Sequence, residues 1–418
     1  MANDGGFSFT FFLPVALPAL GILATMASPL SNESKRVAIR LQVLLAAFGA
    51  FFLLSRFVWV RLTQVITSRV PKIFLFVTLL LGNFSFFIGR VFIGPEPYLI
   101  TKLSYICLGL MILLFCNLMF SSFLSILLSF LGARVNTGCK KMLVFISLGI
   151  SLAMCLAGLL TALGEPHLEF VTIPLRGLPL SLNETRIAQI SDIHLGPTVG
   201  KSQLDKIVNK VVEAEVDIVV ITGDLIDSGE PSLKLAASPL SRIRARFGQY
   251  FVTGNHEYLA GNVDKWFSVL RTLGISPLHN SRVEIHPPDH PTDKLYLAGV
   301  DDIQANMLGY KDHGMRLSAA LDGRDPHHTT TILLAHQPQA ALQAIQQYPD
   351  IDLVLSGHTH GGQFFPLHIP IYLWNPFFSG LYRYTDTWIY VNPGTMYWGI
   401  PFRIGSTPEI TVFTIIAL

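Results

Sequence analysis

Five stretches in the first 164 residues, at 7–27, 37–55, 73–94, 104–131 and 142–162, are apolar over about 20 residues each. No other feature narrows the possible folds as much. A bilayer offers no water to peptide groups, so a segment crossing it alone must be a helix that satisfies its own backbone. The expectation is a membrane region of about five transmembrane helices. The fourth stretch is long enough to tilt. The first contains Pro14 and Pro18 and follows "MANDGG", a flank without positive charge, which argues against a cleaved signal peptide. Arg40 and Arg90 fall near segment ends, where a long basic side chain reaches the interface. None of the five contains Asp or Glu, so the region reads as an anchor, not as a proton or solute pathway.

Composition changes sharply near Gly164. Residues 1–164 carry twelve Lys/Arg, three Asp/Glu and no histidine, whereas residues 165–418 carry eighteen Lys/Arg, twenty-five Asp/Glu and all thirteen histidines. Two regions with different solvents follow: a membrane region at 1–164, a linker at 165–184 and a water-soluble domain at 185–418. The four cysteines all lie in the first region without a C-x-x-C spacing, and read as small apolar residues. The loops after the second and fourth stretches hold Arg56, Arg61, Arg69, Lys72, Arg134, Lys140 and Lys141. The alternate loops hold Lys35, Arg36 and Lys102, with Arg40 and Arg90 at their edges. This excess favours a cytoplasmic N-terminus and a second region on the non-cytoplasmic side. Asn32 and Asn183 open N-x-S/T sequons that this topology puts on that same side. If the first stretch does not span, the assignment inverts.

From Thr185 the pattern becomes short apolar runs separated by amphipathic stretches. "RIAQISDIHLG" precedes a segment in which Leu204, Ile207, Val208, Val211 and Val212 recur at helical spacing. "DIVVITGDLID", a helical stretch around 233–246, "YFVTGNHEY" and a helix near 263–273 follow. Then come "KLYLAGVDD", "TTTILLAHQP", "IDLVLSGHTH", "WIYVNPGT" and "EITVFTIIAL". Continuous apolar strands alternating with helices mean sheets covered by helices, an α/β domain. The number of strands points to two packed sheets.

Polar residues stand where five of these strands end: Asp192 and His194; Asp224 and Asp227; Asn255 and His256; His336; His358 and His360. Ligand sites of α/β sheets lie at such carboxyl ends. Taken alone, each has a plain explanation: strand-end Asp and Asn form turns or caps, and a single histidine is hydrogen-bonded. Residues i and i+2 of an extended chain face the same side, which would make two-pronged claws of Asp192 with His194 and of His358 with His360. Three carboxyl or carboxamide groups and four histidines at one edge are over-charged without a cation. Carboxylate, amide and imidazole without thiolate suit Mn, Fe or Zn. Seven donors exceed one tetrahedral site and would serve two ions, of the kind that activate water against phosphate esters.

The blocks "DIHLG", "GDLID", "GNHE", "AHQP" and "GHTHGGQ", in this order, resemble the signature blocks of the calcineurin-like metallophosphoesterases, over 185–418. The resemblance implies a two-sheet sandwich flanked by helices and a binuclear phosphohydrolase with two divalent metal ions. It implies a first metal on Asp192, His194 and His360, a second on Asn255, His336 and His358, and Asp224 bridging them. His256 would protonate the leaving oxygen, and Asp227 would orient a ligand.

Residues 364–382, "FFPLHIPIYLWNPFFSGLY", contain no Asp, Glu, Lys or Arg, and their prolines forbid a spanning helix. They read either as a loop packed into the core or as an aromatic lip at the bilayer, with Phe377 and Phe378 among its residues. A lip would suit a phosphorylated lipid or similar amphipath as the phosphoester substrate. Membrane is an expected partner and nucleic acid is not. The competing readings are a non-catalytic scaffold or receptor on the same fold, and an accessory domain of a transporter.

Overall fold

The computed structural model describes residues 13–29, 32–229, 231–325 and 329–418, with the backbone alone at 32, 33, 36, 37, 40 and 232. The side chains of Asn32 and Arg40 therefore lie outside what is described, as do residues 7–12 of the first apolar stretch. Contacts divide the chain into two compact units, Met1–Ile88 with Leu103–Cys155, and Gly89–Lys102 with Leu156–Leu418.

The apolar stretches form α1 (Leu13–Ala27), α2 (Asn32–Thr63), α3 (Arg69–Asn83), α4 (Ser85–Val91), α5 (Leu99–Phe130) and α6 (Thr137–Leu163). Among the described residues, three helices are long and apolar enough to cross a membrane, namely α5, α6 and residues 41–63 of α2. The third stretch is not one straight span: α3 and α4 form a pair bent by 61°. The described part of the first is short. Inside the first unit, polar side chains join helices where no water competes. Arg61 donates to Ser122 Oγ (2.7 Å) and Asn117 Nδ2 to Ser151 Oγ (3.0 Å). All four cysteines are free.

The second unit continues with β1 (His167–Leu175), β2 (Thr185–Ile190), α7 (Lys201–Glu213), β3 (Ile218–Thr222), α8 (Ser232–Ala236) and β4 (Gln249–Val252). Next come α9 (Asn255–Ala260), α10 (Val263–Thr272), β5 (Ser276–Pro277), β6 (Ser281–Ile285), β7 (Leu295–Gly299), α11 (Leu317–Leu321) and β8 (Thr331–Leu334). The chain closes with α12 (Pro338–Gln347), β9 (Leu353–Ser356), α13 (His368–Trp374), β10 (Gly380–Tyr384), β11 (Thr387–Val391) and β12 (Glu409–Ala417). Two sheets result, ordered β1-β12-β2-β3-β4-β5 and β10-β11-β9-β8-β7-β6. β2, β3 and β4 are mutually parallel, as are β7, β8, β9 and β11.

Alternation along each strand builds the layers. Ile218 and Val220 of β3 face an inner core shared with Leu295, Leu297, Ile332, Leu334, Leu353 and Leu355 of the second sheet. Val219 and Ile221 face the opposite core, against Leu204, Ile207, Val208 and Val211 of α7. On the far side of the second sheet, Leu333 and Val354 pack with Ala340, Ala341 and Ala344 of α12. The product is the expected two-sheet sandwich flanked by helices.

Two expectations need correction, and one left open divides between its two readings. Residues 165–184 are not a free linker, because β1 lies there, paired in parallel with β12. The helical stretch around 233–246 shrinks to α8 and a 3₁₀ turn at Ser238–Arg242, where Pro239 removes an amide donor. The run 364–382 divides: Phe377 is buried in the outer core of the second sheet, whereas α13 buries no residue.

Candidate metal centre

The carboxyl ends of β2, β3 and β4 in one sheet and of β8 and β9 in the other converge. The chain leaves each strand within two or three residues and presents the groups singled out from sequence. The two claws are not extended. Asp192, His194, Asp224, His358 and His360 all have left-handed backbone, with φ of 55°, 53°, 51°, 74° and 51°. Non-glycine residues rarely adopt this conformation, and a set of them marks a centre held by its surroundings. Gly357, beside two of them, has to be glycine, since a Cβ there would overlap Ser191 Oγ and Asp192 Oδ2.

Asp192 is fully buried, and its carboxylate accepts from Ser191 Oγ (2.5 Å) and from the His358 amide (3.0 Å). His194 donates through Nδ1 to Asp227 Oδ1 (2.7 Å), which turns its Nε2 lone pair inward. That Nε2 stands 3.0 Å from His360 Nε2, 3.8 Å from Asp224 Oδ2 and 4.0 Å from Asp192 Oδ1. His336 donates Nδ1–H to the Thr222 carbonyl (2.7 Å), which turns its Nε2 toward the centre. It faces Asp224 Oδ2 at 3.2 Å and has no hydrogen-bond partner. Asn255 begins α9 beside the Asp224 carboxylate, which accepts the His256 amide (2.8 Å), and Asn255 Oδ1 is buried without a partner. His358 closes the group, its ring 5.1 Å from that of His336.

Two sets of donors lie mutually within 4.8 Å, Asp192 with His194 and His360, and Asp224 with His336 and His358. Six of the seven candidates thus fall in these two sets, Asp224 Oδ2 approaches both, at 3.8 Å from His194 Nε2 and 3.2 Å from His336 Nε2, and Asn255 follows at the start of α9. Carboxylate, amide and imidazole groups crowded into a buried space without thiolate form a donor set that fits divalent cations. The groups of the centre shift one another's titration. Burial opposes the charged form of His336, but Asp224 and Asp192 outweigh it and hold the imidazole well above its usual range. Burial, reinforced by His336, pushes His358 down to about 3. His360 is driven well below its ordinary value by burial, His194 and Arg403.

His256 stands at the rim, its ring 4.7 Å from His194 and 5.3 Å from Trp398. Its Nδ1 meets Asp227 Oδ1 at 2.8 Å, the same oxygen that serves His194. Burial works against its protonation, yet Asp224 and Asp227 raise its pKa to about 9.

Several supporting residues escaped the sequence reading. Glu257 accepts four backbone amides, those of Asp224 (3.0 Å), Leu225 (2.7 Å), Ile226 (3.2 Å) and Gly254 (2.6 Å). The spacing Gly254-x-x-Glu257 at a helix start was its available signal. Arg403, fully buried, donates to the carbonyls of His360 (2.6 Å), Pro393 (2.7 Å), Gly394 (3.1 Å) and Met396. No local pattern announces it. A further cluster, His279, Asp301 and His313, stands apart, with Asp301 Oδ2 at 2.8 and 3.2 Å from the two imidazoles. One buried carboxylate between two imidazoles balances its own charge: burial opposes ionisation of Asp301, and the histidines overcome it.

Fold and centre together define a membrane-anchored metallophosphoesterase. Residues 185–362 match the family model of the calcineurin-like phosphoesterases, and the chain belongs to that family. It is 42% identical over 409 residues to the transmembrane protein with metallophosphoesterase domain of Bos taurus, covering 92% of this chain and 91% of that one. The Danio rerio protein of the same name is also 42% identical, over 407 residues, covering 93% of each chain. An uncharacterized metallophosphoesterase of Helicobacter pylori is 30% identical over 378 residues, 90% of this chain and 96% of the other.

Proposed function

We propose that this protein is a binuclear phosphohydrolase that cleaves phosphoester bonds at a membrane, with a membrane-associated phosphorylated compound as substrate. The observation that carries the reading is the convergence of two sets of carboxylate and imidazole donors on one buried centre, with His336 Nε2 and Asn255 Oδ1 buried without a hydrogen-bond partner. Asp192, His194 and His360 would hold one divalent ion, and Asn255, His336 and His358 the other, with Asp224 between them. Mn, Fe or Zn suits these donors. When bound, the ions supply a hydroxide nucleophile at neutral pH and neutralise charge on the phosphoryl oxygens.

The chain's own residues do the rest. Asp227 fixes the rings of His194 and His256 through one oxygen, so each keeps its Nε2 free for the centre. His256, protonated at neutral pH, donates its proton to the leaving oxygen as the phosphorus–oxygen bond breaks. Glu257 locks the turn that carries Asp224 against the one that carries Asn255. Trp398 covers one flank and limits water. The topology we propose has five spans, a cytoplasmic N-terminus and this domain on the non-cytoplasmic side, supported by the basic-residue bias and testable by glycosylation mapping at Asn183.

The test is hydrolysis of phosphate mono- and diesters by the detergent-solubilised full chain loaded with Mn, Fe or Zn, beside Asp224→Ala and His256→Ala. Activity should vanish on stringent chelation and in Asp224→Ala, and fall by about 10²–10⁴ in His256→Ala. Activity that survives loss of Asp224 would place the chemistry elsewhere.

A further inference from the structure

The compact unit that holds the centre also contains the ends of two membrane helices, the first turn of α5 and residues 156–163 of α6. The α4–α5 loop is fastened to the start of α7. Pro95 O accepts the Lys201 amide (2.8 Å), and Glu96 accepts the Ser202 amide (2.7 Å). Leu99, just beyond, is 72% exposed. At the other helix end, the Arg403 amide donates to the Gly158 carbonyl (3.0 Å), and a Cβ on Gly158 would collide with Phe402 and Ile404. Gly158 precedes the end of α6 by five residues, about 7.5 Å along the axis. Phe402, Arg403 and Ile404 therefore lie beside the last turns of an apolar spanning helix, where Leu156 and Leu160 are bare.

The segment from Trp398 to Ile404 reaches the centre. Arg403 grips His360, and Gln363 exchanges hydrogen bonds with Trp398 (3.0 and 3.1 Å). It also carries α13. Ile404 O accepts the Phe365 amide (3.3 Å), and His368 packs on Gly362 and Gly405. From this position α13 turns a wholly apolar face outward: Ile369, Tyr372, Leu373 and Trp374 are 56%, 64%, 77% and 81% exposed, with Phe365 at 51% beside them. Water is a poor solvent for such a face, and a patch with Trp and Tyr but no charge matches the interfacial layer of a bilayer.

We infer that α13 and Phe365 are seated in the interface of the bilayer that α6 crosses, and that the centre takes phosphoesters whose apolar part remains in that bilayer. This rests on the proposed hydrolase reading and adds the class of substrate: a phosphorylated amphipath, its phosphate at His256 and Trp398 and its tail along the lip. Burial of Phe377 removes that residue from the lip and confines it to Phe365 and residues 367–374.

The experiment uses the full chain in phosphatidylcholine nanodiscs. A nitroxide on Leu373→Cys, in a background lacking the native cysteines, should show lipid-like accessibility to oxygen over a water-soluble nickel chelate. Water-like accessibility, or spin–spin broadening from a second labelled copy, would overturn the seating. In parallel, long- and short-chain alkyl phosphates and alkyl nitrophenyl phosphates offer one scissile bond with two tails. The long-chain esters should show the lower KM, and the double variant Leu373→Asp, Trp374→Asp should raise it about tenfold with short-chain kinetics unchanged. Equal KM values for the two tails, or equal losses on both, would overturn the substrate class. Absence of hydrolysis for every ester would instead refute the hydrolase reading, and the nitroxide would still decide the seating.

Discussion

Asp227 is not itself among the proposed metal ligands, yet two functions hang on its Oδ1. It lies 2.7 Å from His194 Nδ1 and 2.8 Å from His256 Nδ1. Asp227→Asn keeps an acceptor oxygen and deletes the charge, so it isolates electrostatics from hydrogen bonding. At a charge separation of about 4 Å and an effective dielectric near 20, the lost attraction is about 4 kcal/mol at most. Opposite charges at this range shift a pKa by roughly 1–3 units, each worth about 1.4 kcal/mol. The sign follows from the role. His256 is raised to about 9, so its acid function is complete at low pH and lost as pH rises through that value. In Asp227→Asn the alkaline limb of kcat/KM should move down by roughly 1–3 units. His194 also loses the partner that makes it a strong donor, and metal affinity should fall about 10–100-fold. The assay is a pH profile on a soluble phosphoester at saturating metal, with a metal titration at fixed pH. An unmoved limb together with unchanged affinity would refute the shared-carboxylate argument.

Glu257→Gln sets an NH₂ against backbone donors and leaves two buried amides unsatisfied, at about 1–3 kcal/mol each. Chemical denaturation of the loaded protein should show a loss of roughly 2–6 kcal/mol, and an unchanged midpoint would contradict the four-amide clamp. Arg403→Met removes the buried donor of four carbonyls and should destabilise by about 3–5 kcal/mol, with release of metal from the His360 side, read by metal analysis after gel filtration. Burial raises Asp352 to about 6, while its Oδ2 accepts the Thr331 amide (2.8 Å). Its contribution is complete below the unfolded carboxylate pKa and is lost as pH rises through about 6. Asp352→Asn should therefore stabilise the domain at pH 8 more than at pH 4, and equal effects at the two pH values would exclude it.

The seven ligand candidates were legible because each follows a continuous apolar run, and such runs are buried strands whose ends have to be polar. The edge strands were harder. β1 is exposed along much of its length, so "HLEFVTIPL" lacks the apolar continuity of β3 or β9. The supporting residues were harder still. Arg403 acts on His360, forty-three positions upstream, and Glu257 on Asp224, Leu225 and Ile226, more than thirty positions upstream, so the closed fold brings out most of their roles. Residues 364–382 show the limit of composition, since one uncharged run supplies both a core residue, Phe377, and the bare face of α13.

The left-handed residues explain why so much support is needed. Five of the seven candidates hold φ between 51° and 74°, at about 1–3 kcal/mol each. Nothing local stabilises this. Each is held instead from another segment: Asp192 and His358 by the bond from the His358 amide to the Asp192 carboxylate, Asp224 by Glu257 through its own amide, His360 by Arg403 at its carbonyl, and His194 by Asp227 through its ring. The strain and its restraints come from five strand ends in two sheets, so neither sheet can form the centre alone. Cation binding would then favour the packed sandwich over any state in which the sheets part, and the metal centre should be a principal contact stabilising one sheet against the other.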